Sequence, residues 1–84
     1  MMNLTQTKIA ALTMELDLKV REYKVLCDKF EELKQGGINP NDEKLLKLKK
    51  LFENNYNEIV EINNQLKILK EAEDAAEKIE NNEA

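Results

Sequence analysis

The chain has no histidine, no serine and no tryptophan, and only two glycines, one proline and one cysteine. Each shortage removes a class of function. Without His or Ser there is no Ser–His or Cys–His nucleophilic pair and no histidine-bearing metal site. One cysteine, Cys27, can form neither an internal disulfide nor a thiolate zinc site. Its plain role is that of a small hydrophobe at the edge of a helix seam. Gly36-Gly37 lacks the strand before it and the Lys/Thr pattern after it that a phosphate loop needs. A helical mutase would gather several cations around a dianion, and Arg21 is the only arginine. No apolar run approaches the ~20 residues that span a bilayer. No charged segment followed by an apolar one opens the chain, as it would in a secretory signal. The expectation is therefore a cytosolic, non-enzymatic protein with no cofactor, no metal, no nucleic-acid partner and no membrane span.

What is present is amphipathic. The 84 residues are 36% charged and 42% hydrophobic, with a mean hydropathy of -0.64. That mixture suits paired helices better than a disordered segment. The net charge of -4 is uneven. Residues 71–84 carry six acids and one base, while the rest of the chain is close to neutral. The acidity belongs to a tail and not to a field that would steer partners.

Both glycines and the proline fall in one stretch, Lys34 to Glu43, reading K-Q-G-G-I-N-P-N-D-E. Gly36-Gly37 ends a long helical pattern where positive φ is wanted. Asn39 is a good N-cap side chain, and Pro40 then falls at the first helical position, where its missing N–H costs nothing. The expected organisation is helix 1 over about 4–35, a turn at 36–39, helix 2 over about 40–79, and a disordered acidic tail at 80–84.

Each arm repeats with a period of seven. In the first, Ile9, Leu16, Tyr23 and Phe30 form an a column and Leu12, Leu26 and Leu33 a d column, broken by Lys19. In the second, Leu45, Phe52, Ile59 and Leu66 form a, and Leu48, Ile62 and Leu69 form d, broken by Asn55. Two such seams joined by a short turn give an all-α, two-helix antiparallel hairpin of coiled-coil type, with dimerisation to a four-helix bundle a further expectation. Folding back around residues 37–38 pairs residues whose numbers sum to about 74–75. Lys19 and Asn55 then meet in one polar layer, which would cost stability and fix register.

A second stripe runs along the first arm. Leu4, Ala11, Leu18 and Val25 recur every seven residues on the c column, with Met14 beside them. A closed two-helix unit has no use for it. These five residues, with Leu46 and Val60 as secondary candidates, are the expected partner-binding set. Isolated surface apolars are ordinary, but regular spacing over three heptads favours a protein-binding or self-association seam. Lys44, Lys47, Lys49 and Lys50, without arginines or interleaved aromatics, read as the wet face of the second helix.

The stretch F-E-E-L-K-Q-G-G-I-N-P-N-D-E-K-L-L-K-L, Phe30 to Leu48, and the opening Asn3-Leu4-Thr5, make the chain resemble the small E-subunit needle-protein chaperones of bacterial type III secretion systems. The resemblance covers about residues 3–70; the acidic tail departs from it. It implies a chaperone or co-chaperone of the bacterial cytoplasm that binds a helical-repeat partner and helps keep a needle subunit soluble before export. The alternative is a homo-oligomeric structural or adaptor bundle.

Overall fold

The computed structural model describes residues 3–82, and the side chains of residues 3–79. Two helices, α1 (Leu4–Gln35) and α2 (Glu43–Asn82), pack as an antiparallel all-α hairpin 66 × 20 × 16 Å in extent. Their ends follow from the local sequence. Asn3 caps α1 by accepting from the Gln6 backbone N–H at 2.8 Å, and the Gln6 side chain reaches back to the Asn3 N–H. This reciprocal box satisfies two orphan donors. At the other end Gly37 takes φ +79. Its N–H donates to the Lys34 carbonyl, and the Ile38 N–H donates to the Leu33 carbonyl. That is a Schellman closure, and it needs a residue without a Cβ at position 37 alone.

The second helix begins three residues later than the sequence suggested. Asn39 does accept from the N–H of Asn41, at 2.9 Å. The Asp42 N–H then donates to the Asn39 carbonyl at 2.8 Å. Residues 39–42 therefore close a β-turn, with Pro40 at its second position, where φ near -65° also suits it. Asp42 takes the capping role, its carboxylate accepting from the Lys44 N–H and its carbonyl from the Leu46 N–H. A helix N-cap and an Asx-turn use the same side chain–backbone bond, so the residues themselves fit either. At the far end α2 continues through Asn82 where a disordered tail was expected from residue 80; residues 83 and 84 lie outside the described part.

The longer turn moves the register. The connection is centred on residue 39, so facing residues sum to about 78 and not 74–75. Side-chain pairs on the two flanks straddle that value: Lys19 with Glu58, Glu22 with Asn55, Gln6 with Glu73, and Tyr23 with Tyr56. In this register the a column of one helix lies beside the d column of the other, as chain reversal requires. The two seam interruptions consequently sit in adjacent layers. Glu22 links them, accepting from Asn55 at 3.1 Å and lying 4.0 Å from the Lys19 ammonium, which also pairs with Glu58 at 2.6 Å. The overlap also reaches Glu73, which accepts from Gln6 at 3.0 Å, so the acidic segment is not wholly unpartnered.

The core is thin. Among the described residues the buried apolar ones are Leu45, Ile62 and Leu66, all on α2, and α1 has no buried residue. A helix with one neighbour can shelter only one stripe. Towards the turn the seam is aromatic. Phe52 stands edge-on to Tyr23 and Phe30, at centroid distances of 6.2 and 5.1 Å, in the T-shaped arrangement that ring quadrupoles favour.

Candidate protein-binding surface

The positions of the remaining apolar residues follow from helix geometry. With the a/d seam turned inward, column c lies past one edge of each helix and column b past the other. In an antiparallel pair, like columns of the two helices fall on the same broad side of the hairpin. One side therefore carries columns c and g, and the other carries b and e.

Leu4, Ala11, Leu18 and Val25 occupy column c of α1 in an unbroken run, and all are exposed. Leu4 and Val25 are 71% and 67% exposed and Met14, beside them, 75%. The five α1 candidates thus share one face. Leu46 and Val60 are exposed too, at 51% and 41%, but they stand in column b of α2. They lie on the opposite side of the hairpin and do not extend the α1 stripe. Leu46 instead lines a depression beside the turn, with Phe30, Ile38 and Leu45.

The α2 residue that does join the stripe is Ile68. It is 65% exposed and lines an open apolar groove with Ala11, Leu12 and Leu69, bordered by Lys8 and Gln65. Sequence reasoning left it out of the candidate set, although its column marks it: Ile68 stands in column c, as Ala11 does. Leu51, in column g, is also exposed on this side.

The charges of this face are ordinary solvated pairs, such as Lys47 with Glu43 at 3.2 Å, of a kind worth roughly 0–1 kcal/mol. The polar link between the seams opens toward the same side. Lys19 is held above its ordinary pKa of 10.5 by its hydrogen bond to Glu58, with added attraction from Glu58, Glu22 and Glu15. Asn55 is 7% exposed, and its Oδ1 has no hydrogen-bond partner. Among the described residues no cluster of His, Cys, Asp or Glu could hold a metal ion, and no helix is long and apolar enough to cross a membrane.

No protein-family model, no curated protein and no solved structure matches the chain.

Proposed function

We propose that this chain is a non-enzymatic protein-binding hairpin that acts by laying column c of α1 against another protein chain. One observation carries the reading. A column of apolar side chains stays exposed along α1 from Leu4 to Val25, on a helix whose own seam is already covered by α2. Single exposed apolars need no explanation, but exposed apolar residues repeating along one helix column are the pattern of a contact site. A helix face with anchors at regular heptad spacing is the form in which helices dock to helices.

The resemblance to needle-subunit chaperones supplies one specific setting. There the hairpin would join a helical-repeat companion in the bacterial cytoplasm, and the pair would cover the apolar helix of a polymerising subunit. The adaptor form, in which copies of the hairpin associate, is favoured by the thinness of its own core.

The test is quantitative co-purification from the source cells of the tagged chain and of a Leu18→Glu, Val25→Glu double variant, both checked for helix content by circular dichroism. The expected result is a stoichiometric protein companion, a second copy included, that the variant loses while keeping its helix. A companion retained equally by both chains would overturn the reading.

A further inference from the structure

We infer that the c-column face of α1 is covered by a second copy of this chain, α1 against α1, antiparallel about a two-fold axis near residues 14–15. The inference rests on the protein-binding reading above and names its partner.

The first argument is area. A compact monomer of 9.8 kDa exposes about 5,200 Å². This hairpin exposes 6831 Å², an excess of about 1,600 Å² over that scaling. Obligate dimers bury roughly 2,000–5,000 Å² in total, or about 1,000–2,500 Å² per chain, and the excess lies within that per-chain range. With three buried apolar side chains among the described residues, a chain of this size has little stability to spare.

The second argument is complementarity. Laid against itself in this register, column c sets Leu4 opposite Val25 of the second copy and Ala11 opposite Leu18. Small then meets large on both sides of the axis, which lets two helices interdigitate. Met14, the most adaptable side chain of the stripe, falls at the axis. Along the g edge, Lys8 comes beside Glu22 of the second copy, twice by symmetry. Only Glu15 meets its own image, so this edge carries two attractive approaches and one repulsive one.

The axis gives a sharp experiment. In a Cys27→Ala background, Met14→Cys should form a disulfide-linked dimer under mild oxidation, because its Cα lies near its own image across the axis. Lys24→Cys, on the outer side of α1, should not. In sedimentation equilibrium the wild-type chain should have twice the monomer mass. Leu18→Glu should raise the dissociation constant by at least about tenfold. Glu15→Gln should lower it a few-fold at low salt and less at high salt, as relief of a like-charge approach requires. Glu15→Gln keeps the inference testable even if Leu18→Glu disturbs the fold. A wild-type chain that stays monomeric at high concentration overturns the second copy. In that case a companion still lost by the Leu18→Glu, Val25→Glu variant leaves the protein-binding reading standing. A dimer indifferent to Leu18→Glu and Glu15→Gln, and cross-linked equally well through position 24, overturns the face.

Discussion

Two stripes of α1 have the same period and are both apolar, yet they have opposite fates. Ile9, Leu12 and Leu16 sit half-buried in the seam, while Leu4, Ala11, Leu18 and Val25 stand in the open. Neither stripe is intrinsically an inside. The turn decides, because it places one neighbour on one side of the helix and none on the other. Hydrophobic periodicity therefore says where a helix wants contact, and topology says which contact the chain can make with itself.

The comparison breaks most visibly through charge. Leu16→Glu or Ile62→Glu sets a carboxylate in the seam and should abolish the cooperative fold, seen as loss of helical circular dichroism. Even Ile62→Ala should cost about 2–5 kcal/mol in denaturant unfolding of the same hairpin. On the outer stripe, Leu18→Glu and Val25→Glu should leave helix content nearly intact in concentrated samples and show their effect in mass. If both sets unfolded the chain equally, the distinction between the stripes would be lost.

Smaller effects sharpen the account of the turn and the polar layers. Gly37→Ala should cost about 1–2 kcal/mol, since φ +79 is strained for any residue with a Cβ. Gly36→Ala should be close to neutral, because an added Cβ would make ordinary 3.5 Å contacts with the Glu32 and Leu33 carbonyls. Thermal unfolding of the two variants side by side checks the pair. Asn55→Leu should raise stability by about 1 kcal/mol, because it removes a buried carbonyl without a partner and leaves Glu22 hydrated. The smallest effect concerns pH. Lys19 has a folded pKa above 10.5, so its contribution is complete below that value and is lost as pH rises through the folded pKa. Lys19→Met should flatten this alkaline fall in a pH series of denaturant melts.

Much of the hairpin was legible because it rests on local rules. The helix-ending Gly36-Gly37 pair and the two heptad seams each act within a few residues of themselves. The start of α2 was not legible in the same way. Asn39-Pro40 suits a helix N-terminus and a β-turn equally, and only the competition from Asp42, three residues on, settles which forms. That difference propagated into the register, which is why Lys19 and Asn55 occupy neighbouring layers and are bridged by Glu22. The candidate surface was legible on α1, where column c is apolar from Leu4 to Val25. On α2 it was not, because Leu46 and Val60 belong to column b and Ile68 to column c. Separating them needs the side of the hairpin on which each column emerges, and pattern within one helix does not supply it.

The measurement that bears most directly on the outer stripe is the solution mass of the purified chain across a wide concentration range, with Leu18→Glu beside it. The account predicts a dimer for the wild type, and for the variant a shift toward monomer with helix content retained where the two are compared at high concentration. A well-folded wild-type monomer at every concentration, as stable as its Leu18→Glu variant, would contradict the claim that this stripe is covered by a second copy.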